Sequence, residues 1–559
     1  MNRNIERIFI SFVASCSLAV TVAHSVNIIL SLWLPNIGET SSIILTWVVI
    51  IVSLCFAICQ LTFRQSKFFP YSYILLPIIG ALGAAVFGNG FGIGSITVIV
   101  VGIIQTYAAN TIFSKLPLVL DNALVKYPLR SFIWAILGVV LITQTGRLGT
   151  YIEDPSFDWW LTTHNEWWTK HMCMPAYIQA ADYNRQQEVN IYDERHYPAI
   201  TRNAKVHLKV ERMDAFVGDP FQYPPQFLLA PSLAIWLTND FLIMRTVWYS
   251  LQVLGFVFVA MLLALWIRHE AGWTPVLLIP VVWCSVPAMQ CFQYGQFHLA
   301  TIVLAIGGML AFERERNALG GMLLAAAILS KLFPAILLIP LLVQRRWKPL
   351  VWTIGAAGVL TVLSLFIVGT KPFITFANYQ IPRLSGGDAL AAFTREWPEF
   401  RQMVIANVIS LYGVVFKLRE LGISEMSDGL ALWIMRIYAV ILIFLAMKAG
   451  KVNDSRLNRA CIWLALLNLA ALQTSLAWGD YVTVGSVWLL SLLTGLKYRK
   501  NWQILLLGLC WVFTVLNLGI VPILNLPSIM VMMVLTIIVS FLLHLLNGWV
   551  ILRADSRVN

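Results

Sequence analysis

The sequence predicts an all-α polytopic membrane protein, and three observations carry that expectation. Of its 559 residues, 59% are hydrophobic and 12% charged, whereas soluble domains carry roughly 25% charged residues. Apolar stretches long enough to cross a hydrocarbon core of ~30 Å at ~1.5 Å per residue recur along the chain. The basic residues gather in alternate linkers, the positive-inside pattern of a membrane protein. That pattern also accounts for the net charge of +12 and argues against a nucleic-acid partner.

In chain order, apolar runs near 8–34, 41–63, 70–88 and 92–113 read as four leading spans, grouped as an accessory region over residues 1–114. Arg3 and Arg7 precede the first, Arg64 and Lys67 follow the second, and Lys115, Lys126 and Arg130 follow the fourth. These charges put the N-terminus in the cytoplasm, and a fifth span at 131–146 carries the chain to the outer side. There it opens into a polar loop, residues 147–222, with Asp158, His164, Glu166 and His171 set among Trp159, Trp160, Trp167 and Trp168. Seven of the eight cysteines lie in apolar runs and Cys173 alone lies in the loop, so no disulfide framework is implied.

Past the loop, Tyr223-Pro224-Pro225 opens an apolar run to Leu237 too short for a comfortable span, which reads as a half-helix. Runs near 241–267, 274–291 and 297–312 come next. Two cytoplasmic signals, Glu313–Arg316 and Arg345-Arg346, flank residues 320–343. One straight helix there would cross once and break the charge rule, so a pair of half-helices broken around Lys331-Leu332-Phe333-Pro334 is expected. A lysine buried in lipid costs roughly 2.5–3.5 kcal/mol on insertion scales, which marks Lys331 as functional. A span at 349–369 leads to a second polar segment from Lys371 to Gln402 that holds Arg383 and Arg395. An amphipathic run, 404–418, and spans near 430–447, 460–476, 482–496, 502–524 and 528–550 complete the bundle.

No segment is long enough for a nucleotide-binding domain, and neither a P-loop nor a GxGxxG strand–helix unit occurs. A membrane enzyme of this kind is most simply fed by a donor already in the lipid, and a polyprenyl-phosphate sugar fits. Its chemistry needs a carboxylate to take the acceptor's proton and cations to hold the phosphate that leaves. Asp158 or Glu166 suits the base, Lys331 leads for the phosphate with Arg383 and Arg395 behind it, and His164 and His171 suit substrate contacts. The spacing of the two histidines matches no common metal site and no Asp-x-Asp occurs, so neither metal nor other cofactor is indicated.

Several motifs in this order and spacing resemble glycosyltransferase family 87. They are Tyr223-Pro224-Pro225 after a long loop, Gly295-Gln296 starting a span, and Gly320-Gly321 with Lys331-x-x-Pro334 before Arg345-Arg346-Trp347, then Asn407-x-x-Ser410 and Trp478. The family has a GT-C fold and includes polyprenyl-phosphate-mannose-dependent mannosyltransferases. The resemblance implies a GT-C-like helical bundle over residues 130–550, with a long first extracytoplasmic loop. It implies an acidic base in that loop ahead of a helix resembling Pro175–Ala181, where this chain has Cys173. It also implies substrate contacts from Tyr177, Tyr223, Gln296 and Asp480, the last standing where the family commonly has histidine. The expected reaction is inverting transfer of mannose or a similar sugar to a lipid or cell-envelope glycan, at the outer face of the plasma (inner) membrane. A lipid or glycan flippase and a GT-C-like glycan polymerase or ligase are the alternatives.

Overall fold

The computed structural model describes residues 171–186, 190–197, 210–213, 216–268, 285–387, 401–452, 454–496, 501–515 and 529–553, with isolated positions at 148, 151, 152, 271, 272, 275, 278, 282 and 283. The expected accessory spans, Asp158, His164, Glu166, Arg395 and the tryptophan pairs lie outside these residues. The chain divides into two compact units, residues 1–159 with 245–284 and residues 160–244 with 285–559. The described part is helical apart from one parallel pair of two-residue strands, β1 (His171–Met172) and β2 (Val217–Gly218). Four described helices are long and apolar enough to cross a membrane, five if one sharply bent pair counts as a span. The chain is an all-α polytopic membrane protein, as its composition predicts.

The first unit is represented by most of one span. Arg245 is buried there, its guanidinium 4.6 Å from the centre of the Tyr151 ring, and Nη1 donates to the carbonyls of Tyr151 and Ile152 at 3.0 and 3.1 Å. An arginine in an apolar setting is tolerable when acceptors and an aromatic face replace its water.

The second unit builds the rest. Helix α1 (Met174–Gln186) follows β1, and after β2 come α2 (Leu229–Leu237) and α3 (Phe241–Ile267), the latter continuing into the first unit. The run opened by Tyr223 is indeed a half-helix: a 3-10 turn at Pro225–Leu228 leads into α2, and Pro225 sits where the missing N–H costs nothing. Helix α4 (Val286–Tyr294) ends at Gly295, whose φ of 62° turns the chain by 104° into α5 (His298–Glu313). That left-handed cap is cheap only for glycine, which explains Gly295 in the motif.

The segment between Glu313–Arg316 and Arg345-Arg346 breaks near Lys331, as the sequence leads one to expect. Helix α6 (Asn317–Ser330) stops at Lys331, whose backbone is extended, and a 3-10 turn at Phe333–Leu337 leads into α7 (Leu338–Val343). Pro334 lies at the start of that turn, where it cannot continue the ladder of α6. Two sets of contacts fix the path. At one end Ser330 Oγ meets Thr301 Oγ1 of α5 at 3.1 Å. At the other, Arg346 pairs with Glu313 at 2.8 Å and donates to the Phe312 carbonyl at 2.9 Å. Chain that leaves Glu313 therefore reaches Lys331 and comes back to Glu313. Fourteen residues of helix rise ~21 Å, more than the ~16 Å of two equal halves, so Lys331 stands farther from Glu313 than an even split gives.

Helix α8 (Trp347–Val368) packs against α6 at Gly321, and α5 packs against α6 at Gly320. A Cβ on Gly321 would lie 2.6 Å from the Trp352 carbonyl carbon, and one on Gly320 would lie 2.9 Å from the Gly308 carbonyl oxygen of α5. Small residues let membrane helices approach to backbone contact.

Residues 404–418, expected as one amphipathic run, are two helices, α9 (Arg401–Asn407) and α10 (Leu411–Glu420). The break has a local cause. Val408 bridges Trp478 in antiparallel fashion, Ile409 N–H donates to the Ala477 carbonyl at 2.8 Å, and Ser410 Oγ accepts from Gly413 N–H at 3.1 Å to cap α10. Asn407-x-x-Ser410 and the late Trp478 thus meet in space. Beyond them, α11 (Asp428–Gly450), α12 (Arg456–Leu472), α14 (Val484–Leu493), α15 (Asn501–Val515) and α16 (Ile529–Arg553) fall at the expected apolar runs, and the short α13 (Gly479–Val482) lies between two of them. Helix α12 is the core: nearly every residue is buried, and its Asn468 Nδ2 donates to Asn547 of α16 at 3.0 Å.

Gly321→Ala is expected to destabilise the protein by about 1–3 kcal/mol, the usual cost of overpacking. Gly355→Ala on α8, where an added Cβ meets nothing within 4 Å, is expected to be neutral or slightly stabilising through helix propensity. Thermal unfolding in detergent compares the two; equal shifts would show that the α6–α8 approach does not limit packing.

Candidate active site

At the Lys331 end of the bundle, five polar side chains from three separated segments converge. The strand pair sets the first contact. His171 registers with Val217 and Met172 with Gly218, which brings Cys173 beside Asp219, Sγ to Oδ2 at 3.6 Å. Cys173 N–H donates to the Tyr294 carbonyl at 3.0 Å and so fastens the loop to the end of α4. One residue past the Gly295 corner, Gln296 is 1% exposed. Its Nε2 donates to Cys173 Sγ at 3.1 Å, and its Oε1 accepts from Tyr223 at 2.9 Å and Tyr177 at 3.1 Å. The two tyrosine hydroxyls lie 2.8 Å apart, and Phe297 N–H donates to Tyr177 at 3.4 Å. The donors and acceptors leave the amide one orientation, oxygen toward the phenols and nitrogen toward the thiol. Burial pushes the Tyr177 and Tyr223 hydroxyls well above the ordinary phenol range, so both remain protonated donors at neutral pH.

Aromatic rings floor this cluster. Phe227 stacks on Tyr223 with centroids 4.7 Å apart and meets Tyr177 and Phe297 edge-on at 4.8 and 4.9 Å. On the other face of the cluster Lys331 Nζ lies 5.3 Å from the Tyr223 ring centre and 5.2 Å from that of Tyr481, within cation–π range of both. His298, 2% exposed, stacks on Phe333 at 5.0 Å and leans on Tyr481 at 5.9 Å, and its Nε2 has no hydrogen-bond partner among the described residues.

The arginine expected at the phosphate is engaged elsewhere. Arg383 pairs with Glu194, stacks 4.8 Å over the Tyr379 ring, and donates to the Tyr192 carbonyl at 3.5 Å. Tyr192 in turn donates from its hydroxyl to the Tyr223 carbonyl at 3.1 Å. Arg383 thus braces the segment that positions Tyr223. Next to it, Asp193 is held below the usual carboxylate range, chiefly by the hydrogen bond from Arg195.

Of the residues the sequence singles out, Tyr177, Tyr223, Gln296 and Lys331 come together here. Asp480 lies in α13 beside Tyr481 and His171 in β1, both placed by backbone alone. The sequence by itself does not single out Asp219, His298 or Tyr481, nor give Cys173 a role. Proximity to the quoted motifs is the signal that was there: Asp219 stands four residues before Tyr223, and His298 two after Gln296.

A cation, a carboxylate and phenols thus gather at one end of a broken hairpin in a polytopic membrane bundle. Residues 221–474 match the family model of glycosyltransferase family 87, a match that indicates a membrane glycosyltransferase. No curated protein and no solved structure matches the chain. The matched stretch includes Tyr223, Gln296, Lys331 and Arg383 and begins after Cys173, Tyr177 and Asp219.

Gln296→Leu keeps the volume but leaves the phenols and the thiol short of partners, which costs about 1–3 kcal/mol. Tyr177→Phe should cost less, because Tyr223 keeps its bond to Oε1. Thermal midpoints of the two variants test the hub; a Gln296→Leu protein as stable as wild type would refute it.

Proposed function

We propose that the protein transfers a sugar, mannose or a similar hexose or pentose, from a polyprenyl monophosphate carrier to a lipid or cell-envelope glycan acceptor. The observation that carries this reading is Lys331, a cation set between two phenol rings at the end of a hairpin that starts and finishes at Glu313. A lysine kept at that depth is worth its cost where it meets an anion that arrives through lipid, and a phosphate on a prenyl chain is such an anion. Reaction proceeds with inversion: the acceptor oxygen attacks the anomeric carbon as the bond to the phosphate oxygen breaks, and a loop carboxylate takes the acceptor's proton.

The sidedness follows from charge. Glu313–Arg316 and Arg345-Arg346 are the basic, cytoplasmic turns under the positive-inside rule, so the Lys331 end faces the outer side of the plasma (inner) membrane.

Purified protein in nanodiscs, given radiolabelled polyprenyl-phosphate-mannose and a membrane lipid extract, is expected to form a labelled product. Lys331→Ala should weaken binding of the bare polyprenyl phosphate by about tenfold or more, equivalent to ~1.4 kcal/mol, and Lys331→Arg by less. Unchanged affinity in Lys331→Ala would remove the lysine from the phosphate site.

A further inference from the structure

We propose that the end of the bundle opposite Lys331 seats an anionic phospholipid. Its headgroup is held between the turns that open α6 and α8, and its acyl chains lie along the exposed face of α8. The proposal is independent of which sugar the protein transfers and to what acceptor.

The two turns are built alike. Arg316 N–H donates to the Ala311 carbonyl and Arg346 N–H to the Leu341 carbonyl, each at 2.9 Å. The residue before each donor has a left-handed backbone, Glu315 at φ 58° and Arg345 at φ 54°. Glycine is the usual occupant of that position, because it has no Cβ to clash. This chain places a charged side chain there in both turns and accepts the strain.

Folding brings the turns together. Arg346 reaches Glu313 at 2.8 Å and the Phe312 carbonyl at 2.9 Å, and Gly321 lets α6 lie against Trp352 of α8. Arg314, Arg316, Arg345 and Lys348 therefore rim one seam, and all four are exposed. Glu313 is already shared by Arg346 and Arg459. Among the described residues none of the four has a carboxylate in ion-pair range. Neither α6 nor α8 carries an acidic residue in its first turn, so Glu315 is the acid set among these cations. The positive-inside rule decides which side a turn occupies; it does not require the charges of separate turns to meet. Cations gathered this way repel one another, and an anion between them removes that repulsion.

What adjoins the charges identifies the anion. Trp347, Val351 and Ile354 recur at helical spacing on α8 and are 58%, 66% and 67% exposed. A soluble anion would use the cations alone. A phospholipid uses both surfaces, with its phosphate at the rim and its chains along Val351 and Ile354. Trp347 then stands at the boundary between them, where an indole ring is favoured. Each basic residue near an anionic lipid surface contributes about fivefold in binding.

The test incubates full-length protein in a neutral detergent with mixed micelles of phosphatidylglycerol and phosphatidylcholine, and counts the lipid retained after gel filtration. Wild type is expected to keep at least about tenfold more phosphatidylglycerol, with the preference falling as salt rises. Arg345→Gly combined with Lys348→Gln should lose about 25-fold in phosphatidylglycerol affinity. Its thermal midpoint in phosphatidylcholine should not fall, because glycine relieves the turn. Arg314→Gln combined with Arg316→Gln should show a similar loss, and Lys348→Arg alone should show none. Equal retention of the two lipids by wild type overturns the proposal; an acidic peptide bound at the same turns would then indicate a protein partner instead. A preference that both paired variants keep places the lipid elsewhere and overturns it as well. Displacement of phosphatidylglycerol by an equal concentration of glycerol phosphate shows a site for a soluble anion, and that also overturns it.

Discussion

One carboxamide holds three parts of this chain in register. Gln296 sits just past a right-angled corner in the backbone, and its two ends reach Tyr177 and Tyr223 on one side and Cys173 on the other. These partners lie 119, 73 and 123 residues away. None of the bonds is strong alone, since a neutral hydrogen bond contributes roughly 1 kcal/mol net. Their force comes from burial: with no water to substitute, each unmade bond costs more than each made bond contributes. The loop ahead of α2 is therefore seated on the bundle through its polar groups as well as through the aromatic contacts around Phe227.

The opposite end of the bundle is fixed by a different interaction. Glu313 divides its carboxylate between Arg346 at 2.8 Å and Arg459 at 2.6 Å, each arginine a little over a quarter exposed. The ends of α5 and α12 and the start of α8 are thereby clamped in one layer. With the clamp at one end and Gln296 at the other, the length of α5 and α6 decides how far Lys331 stands from Glu313. The depth of the lysine is a helix length, set by sixteen and fourteen residues.

Much of this was legible in the sequence, and the reasons differ by element. The spans were legible because a lipid-facing helix must be apolar along its whole length, so its limits show in composition; α3 spans 241–267 as read. The break at Lys331 was legible from a conflict between charge and length, with Pro334 confirming the place. Tyr177, Tyr223 and Gln296 were carried by motif order. The contacts of Arg383 and Asp219 were not legible. Both depend on a partner far along the chain, Glu194 for one and Cys173 for the other, and nothing local distinguishes an arginine that braces from one that binds. The split between α9 and α10 was missed for a similar reason: its cause is backbone pairing with residues 477 and 478, which no periodicity reveals.

The hairpin from Glu313 to Arg346 has a bearing on how the protein is made. A segment that enters the bilayer and leaves by the same surface contributes nothing to topological parity, whereas a true span inverts everything after it. The inserting machinery can therefore commit α8 and all later helices to their orientation before α6 and α7 have found their final depth. Over evolution the hairpin can lengthen or shorten by a turn, moving the lysine up or down, while each downstream loop stays in its own compartment.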